Sequence, residues 1–442
     1  MEAAIIGAGW AGCAAAVTLS RLGHRVTVFE SAALAGGRAR RVDRAGLAID
    51  NGQHLLLGAY VQTRIVMAVV NGGDGEADVT RMSLAIAPLS ADANALQLRA
   101  RAFHAPFGLL AALLFAQGLS LRDRLGVVAW FQRLMRRDFR CEAGATVAQL
   151  LAEGPPAAHA LWAPLCLAAL NTPIERASAQ VFANVLRAAF AADTGSSDFV
   201  LPATDLSSLF PDAALRFVEA NDGRVALRTR AQVRDVHRDG VTIDEGSRIE
   251  RFDSAIVAVG PHQVDDVLPP HRVFAAARAA SVALAYEPIA TVWLGYADRV
   301  PMKGRIARLD DTPGQWVIDR PDIVAKASPD SSRPPLAQLV AVVISASGPH
   351  DTLLPAELAV ACDRQLRRLQ PSWPALSWAQ AIIEKRATYA CTPDRPAPPP
   401  ALVHPRVAIA GDWMDSEFPA TIEAAVRTGV NAAVMLDEAR LR

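Results

Sequence analysis

Ala3-Ala4-Ile5-Ile6 is an apolar run without a polar break, and Gly7-Ala8-Gly9-Trp10-Ala11-Gly12 follows it at once. A short unbroken apolar run closed by glycine predicts a buried strand and a tight turn. The alanine-rich stretch continuing to Leu22 predicts a helix. After Gly23-His24, the alternation in Arg25-Val26-Thr27-Val28-Phe29 predicts a second strand, ending on Glu30. Strand, glycine turn, helix and strand stand in the order of a βαβ unit.

Farther along, Leu47-Ala48-Ile49 predicts a short strand feeding a turn at Asp50-Asn51-Gly52-Gln53-His54. Residues 80–204 read as mostly helical and apolar. From 228 the pattern changes to strands around turns at Asp239-Gly240 and Glu245-Gly246, and Ser254-Ala255-Ile256-Val257-Ala258-Val259-Gly260 is a buried strand closed by glycine. Strands are expected again at 291–296 and 339–344, a helix near 358–369 and a proline-rich loop at 396–400. Val407-Ala408-Ile409-Ala410 is a final strand with Gly411-Asp412 at its end, and Pro419-Ala420-Thr421-Ile422-Glu423 opens a last helix.

The first unit carries chemistry. Gly7 allows the tight turn, Gly9 lets backbone approach a pyrophosphate, and Gly12 lets helix and strand pack closely. The helix start offers free N–H groups to phosphate. Glu30 is placed to accept hydrogen bonds from a ribose and would repel a 2'-phosphate, so the ligand is FAD or NAD and not NADP. A second glycine turn, Ala35-Gly36-Gly37-Arg38, would clamp the pyrophosphate from the opposite side. Asp412 would accept from a ribityl chain, and the N–H groups of Thr421 and Ile422 would stabilise negative charge on a reduced flavin. Bland readings remain beside these: Asp412 as a turn residue, Thr421 as an N-cap, and the turn at Gly52 as a simple chain reversal.

Composition adds limits. The 45 basic and 45 acidic residues balance, which gives no footprint for a nucleic-acid partner. Five cysteines, Cys13, Cys141, Cys166, Cys362 and Cys391, lack paired spacing and read as free thiols of a reducing compartment. The first strand begins at residue 3, so a cytoplasmic protein is expected. Residues 105–121 are free of charge but fall short of the ~20 apolar residues of a membrane span. With the apolar run after them they form a pair of helices over 105–135, which either lie on the inner face of the cytoplasmic membrane or cover a lipid-shaped cavity.

GAGWAG, GGRARR, DNGQHLLLGAY, PLCLAALNTP, ASAQVFANVLRAAF, SDFVLPATDLSSLFPD, QWVIDR, EKRATYACTP and GDWMDSEFPATIEAAVRTG together resemble the amine oxidase and phytoene desaturase superfamily of flavoproteins. Within it they are most similar to the hydroxysqualene dehydroxylase family, the squalene-associated FAD-dependent enzymes of hopanoid biosynthesis. The resemblance implies an α/β fold: a Rossmann-like FAD-binding domain of the glutathione reductase and amine oxidase type, with an interleaved α+β substrate domain. The expected division is 1–80, 205–270 and 405–442 for FAD, and 81–204 and 271–404 for the substrate.

FAD contacts are implied at Gly7, Gly9, Trp10, Ala11, Gly12, Glu30, Gly37, Arg38, Gly52, Gln53, His54, Val233, Asp412, Thr421 and Ile422. One departure is Ala424 after Glu423, where the family more often has glycine, so the resemblance does not carry close packing of that helix. The implied reaction replaces the allylic hydroxyl of hydroxysqualene by hydrogen, giving squalene. It needs a hydride donor, an acid for a poor leaving group and a dry apolar cavity. His54 is the candidate acid, with packing against the flavin as its structural alternative. Asp319 and Arg320 are weaker candidates, since such a pair is usually a salt bridge. A single dinucleotide fingerprint leaves the flavin's electron donor external and unidentified. A carotenoid or amine oxidase or desaturase, and a non-enzymatic prenyl-lipid carrier, are the rival readings.

Overall fold

The computed structural model describes residues 1–90, 95–99, 107–328 and 333–440. Six strands form a sheet in the order Arg224–Leu227, Arg25–Glu30, Glu2–Ile6, Ser254–Val257, Val407–Ile409, Leu402–His404. The first five run parallel and the last antiparallel. A parallel sheet is covered on both faces, which explains why its central strands read as unbroken apolar runs. Ala3, Ala4, Ile5, Ala255, Ile256 and Val257 are fully buried.

Helix Trp10–Arg21 and the last helix, Ile422–Arg440, pack together beside this sheet. They approach closely at Gly429, where an added Cβ would lie 2.1 Å from the Ala11 carbonyl oxygen. Ala424 is fully buried at the helix start. Close packing is therefore achieved, through Gly429 and not through a glycine after Glu423.

A second sheet is antiparallel, in the order Ile306–Arg308, Trp316–Asp319, Gln338–Ser345, Tyr286–Tyr296, Leu376–Tyr389. Strand alternation divides its faces. Val292, Val340 and Val342 pack under helix Pro355–Leu369, while Trp316, Ile318 and Val343 face a cavity. Leu376–Tyr389 was not expected from the sequence. Its run AQAIIEKRATY is half-buried along most of its length and does not alternate cleanly.

Residues expected to be mostly helical also hold the short strands Val79–Met82, Ala85–Ile86, Leu98–Arg99 and Phe199–Pro202. The rest of that stretch is a layer of helices, with Leu121–Arg136, Val147–Ala152 and Ala179–Phe190 capped by Ser120, Thr146 and Ser178. The anticipated pair over 105–135 is Phe107–Leu114 and Leu121–Arg136; residues 105 and 106 lie outside the described residues. Among the described residues no helix is long and apolar enough to cross a membrane. All five cysteines are free, and Cys141 is the one that is not fully buried.

Candidate active site

One cavity of about 1930 Å³ is lined from both sheets and from the helical layer. A site for one small ligand is roughly 300–1,000 Å³, so the space admits a dinucleotide and a second molecule. At one end lie the backbone turns.

Gly7 has a φ of +102°, and a Cβ on Gly12 would stand 1.9 Å from the Gly7 carbonyl oxygen. Neither position tolerates a side chain, so strand end and helix start are held in contact by backbone alone. Helix Trp10–Arg21 begins at Gly9 with no side-chain cap and no acidic residue in its first turn. Its first N–H groups are thus left for an outside acceptor. The second turn does not face the first across a gap, as expected, but joins it: Gly36 N–H donates to Ala8 O at 2.8 Å, and Gly36 bridges to Gly9. The two turns form one seam. Glu30 fastens its edge, accepting from Ala8 N at 2.8 Å and Ala32 N at 2.7 Å. Trp10 turns its indole into the core, donating to Ala39 O at 3.0 Å. Gly12 and Val233 do not line the cavity; Gly12 lies beneath the turn, and the neighbouring residues Thr229 to Gln232 form the wall near Val233.

Arg38 rises from the seam and donates to Asp412 Oδ1 at 2.6 Å and to Ala387 O at 2.7 Å. Burial works to lower its pKa, but the charge and hydrogen bond of Asp412 outweigh that and hold it above the ordinary value. Asp412 is therefore ion-paired within the protein, which the turn and ribityl readings both left out. Thr421 Oγ1 accepts from Ala424 N at 3.1 Å and caps the last helix, so the N-cap reading is realised. Glu423 holds a second helix start beside it, accepting from Gln62 N at 2.8 Å, Thr63 N at 2.9 Å and Thr63 Oγ1 at 2.6 Å.

The turn after Asp50 enters the cavity beside Arg38, with Asn51 N donating to Arg40 O at 2.9 Å and Asn51 Nδ2 to Arg38 O at 3.4 Å. Gly52 has ordinary room on its protein side, with His54 Cε1 3.6 Å from an added Cβ. Gln53 is fixed at both ends, its N–H donating to Thr291 Oγ1 at 3.1 Å and its Oε1 accepting from Arg320 Nη1 at 2.7 Å. His54 Nδ1 lies 2.7 Å from Gly52 O, which assigns the proton to Nδ1. Burial lowers the His54 pKa, the Gly52 bond opposes it, and the Arg38 charge lowers it further. The imidazole is neutral at pH 7.

Asp319 and Arg320 do not pair with each other. Arg320 is wholly buried and turns to Gln53, Asp322 and, at 3.8 Å, Asp50. Asp319 Oδ1 is buried without a hydrogen-bond partner. Strand alternation explains the split, because Trp316 and Ile318 take the cavity face.

Beyond His54 the lining becomes apolar: Leu55, Leu57, Phe182, Leu186, Phe190, Phe199 and Trp316, with small residues Ala168, Ala169 and Ala188 between them. Asn171 ties this arm to the sheet, donating to Thr388 Oγ1 at 2.9 Å and accepting from Ala346 N at 2.7 Å.

The model of flavin-containing amine oxidoreductases matches residues 10–436. The chain belongs to that family. Among curated relatives it is 25% identical to a hydroxysqualene dehydroxylase of Zymomonas mobilis over 97% of both chains. It is 27% identical to a hydroxysqualene dehydroxylase of Rhodopseudomonas palustris over 97% of this chain and 96% of that one. Among solved structures, an oxidoreductase from Methanosarcina mazei shares the fold with a TM-score of 0.74 at 16% identity, over 98% of this chain and 100% of that one.

As a flavin-containing amine oxidoreductase, this protein is an FAD-dependent oxidoreductase, so the carrier reading is set aside. The residues fit the cofactor: a glycine seam in which Gly7, Gly12 and Gly36 admit no Cβ, an uncapped helix start and an acidic side chain at the end of the second strand. Sequence reasoning missed three contributors. Tyr60 lines the cavity and bonds the Thr421 side chain; burial first, then the Glu423 charge, raises its pKa, and it stays a phenol. Asn171 and the Arg320–Gln53 link are the others. Tyr60 sits inside the DNGQHLLLGAY motif and was findable there; the other two join residues far apart in the chain.

Proposed function

We propose that this oxidoreductase replaces the allylic hydroxyl of hydroxysqualene by hydrogen, giving squalene. The observation that carries the reading is the apolar arm, which belongs to the same cavity as the glycine seam and is lined by aromatic and aliphatic side chains. The names of the full-length relatives point the same way.

In this reading residues 1–80, 205–270 and 405–442 carry the cofactor, and residues 81–204 and 271–404 enclose the substrate. Gly7, Gly9, Trp10, Ala11, Glu30, Gly37 and Arg38 hold the dinucleotide end, with Gly12 and Val233 supporting from behind. Gly52, Gln53, His54, Asp412, Thr421 and Ile422 meet the ring end and the chain leading to it. FAD, when bound and reduced, supplies hydride. The apolar arm excludes water from the carbon that loses hydroxyl, so that hydride and not solvent reaches it. His54 faces the leaving hydroxyl. Its low pKa makes the neutral ring a hydrogen-bond acceptor through Nε2, and makes its rare cationic form a strong acid for departing water. Electrons reach the flavin from a donor outside this chain.

The test is anaerobic. The bound flavin is reduced chemically, hydroxysqualene is added, and flavin absorbance and the extracted lipid are followed. Return of the oxidised spectrum with one squalene per flavin is expected. A flavin that stays reduced with substrate bound would sink the reading, and the oxidised protein would then be assayed with polyenes and amines.

A further inference from the structure

Helices Phe107–Leu114 and Leu121–Arg136 pack on each other at the outside of the helical layer, and Arg124 ties them by donating to Leu114 O at 3.2 Å and Leu119 O at 3.1 Å. On their outer side Leu114 is 37%, Phe115 64%, Leu121 67% and Leu125 53% exposed. At 3.6 residues per turn, Leu121, Leu125, Gln132 and Arg136 share one face of the second helix, with Arg122 and Arg133 at its edge. The outer face is thus apolar toward the amino end and basic toward the carboxyl end.

Charge is concentrated here although the chain as a whole is balanced. Residues 121–140 hold six arginines against two aspartates, and Arg122, Arg136 and Arg140 make no ion pair among the described residues. Arg137 pairs with Glu153 at 3.1 Å and Arg133 donates to the Glu153 carbonyl at 2.9 Å, which anchors the end of the helix and leaves Arg122 and Arg136 as its outer cations.

The inner face of the same helix packs behind the wall of the active-site cavity. Phe131 packs edge-on against Phe190 with ring centroids 6.5 Å apart, and Phe190 lines the apolar arm.

We propose that this outer face docks the protein on an anionic lipid bilayer, with Leu121 and Leu125 among the acyl chains and Arg122 and Arg136 among headgroup phosphates. Leucines in the acyl boundary with arginines on the same surface are the combination an interfacial helix uses. A second copy of this chain fits worse, since an antiparallel two-fold contact through this face would set its leucines against its arginines. The inference rests on the isoprenoid reading for its purpose, because a bilayer is where such an alcohol resides. Binding is measured without turnover, so either can fail alone.

The FAD-loaded protein is floated with vesicles of phosphatidylcholine alone or mixed with phosphatidylglycerol. Binding to the mixed vesicles is expected. It should weaken about fivefold for each of Arg122→Gln and Arg136→Gln, and about tenfold or more for Leu121→Asp combined with Leu125→Asp. Leu354→Asp, at a leucine 66% exposed elsewhere, should bind as the parent does. Unchanged flavin absorbance and melting temperature establish that each variant is folded. The proposal is overturned if the parent ignores anionic vesicles, if the leucine variant binds equally, or if lipid charge has no effect. It is also overturned if sedimentation without lipid shows a dimer that the leucine variant abolishes.

Discussion

Asp50 offers the sharpest test of the buried electrostatics behind the active-site turn. It ends strand Leu47–Asp50 at 1% exposure; its Oδ1 accepts from Leu206 N at 2.8 Å, and its Oδ2 has no hydrogen-bond partner. Arg320 Nη1 is 3.8 Å away and gives its hydrogen bond to Gln53. Burial pushes the Asp50 carboxyl up to about 7 from an ordinary 3.8, against the opposing pull of the Arg320 charge and the Leu206 N–H. Because the folded pKa is raised, the group's contribution to stability is fully present below the ordinary value and is lost as pH rises through about 7.

Between pH 5 and pH 8 about two pH units lie where only the unfolded carboxyl is ionised, which amounts to about 2–3 kcal/mol at 1.36 kcal/mol per unit. Asp50→Asn cannot ionise. Its stability relative to the parent carries a constant offset from the lost carboxyl, but the difference should shift in its favour by about 2–3 kcal/mol across that range. Urea unfolding at saturating FAD measures it, and infrared absorption of a protonated carboxyl, present at pH 6 and absent in the variant, checks the assignment. A difference flat to within about 0.5 kcal/mol would mean that Asp50 is ionised in the fold throughout and that Arg320 outweighs burial.

Gly12→Ala and Gly52→Ala should behave oppositely. The first places a Cβ 1.9 Å from backbone and should yield little folded protein; the second meets ordinary contacts and should keep the parent's melting temperature as apoprotein while weakening FAD in titration. Glu423→Gln turns one acceptor into a donor facing the N–H groups of Gln62 and Thr63, and should cost about 2–4 kcal/mol in urea unfolding. If His54 imidazolium is the acid, kcat should rise as pH falls below the usual imidazole range, and His54→Gln, assayed at saturating FAD, should flatten that limb; an unchanged profile removes His54 from the chemistry.

Much of the cofactor end was legible because its requirements are local. Gly7 and Gly12 are constrained by each other across five residues, and Glu30 by Ala8 and Ala32, so the pattern lies within one stretch of chain. The strands 254–257 and 407–409 could be placed as buried because they are apolar on both faces, whereas Arg224–Leu227, at the sheet edge, keeps a polar residue and was missed. The strand Leu376–Tyr389 escaped notice because half-exposure removes the alternation that marks a strand.

The substrate arm is of a different kind, and this is why the two halves of the site differ in what a sequence can say of them. Backbone N–H groups recognise a pyrophosphate wherever glycine lets the chain approach, so the identity of one residue reports the contact. An apolar arm has no such signature: Phe182 and Phe190 face the cavity or its wall, while Phe131, equally aromatic and on a similar helix, serves as packing behind them. Only the crossing of three helices and a sheet decides which aromatic is which. The same reasoning separates the effects of change. Substitution in the glycine seam should abolish flavin binding whatever the substrate, whereas enlarging Ala168 or Ala188 should leave the flavin in place and shorten the apolar ligand that the arm can hold.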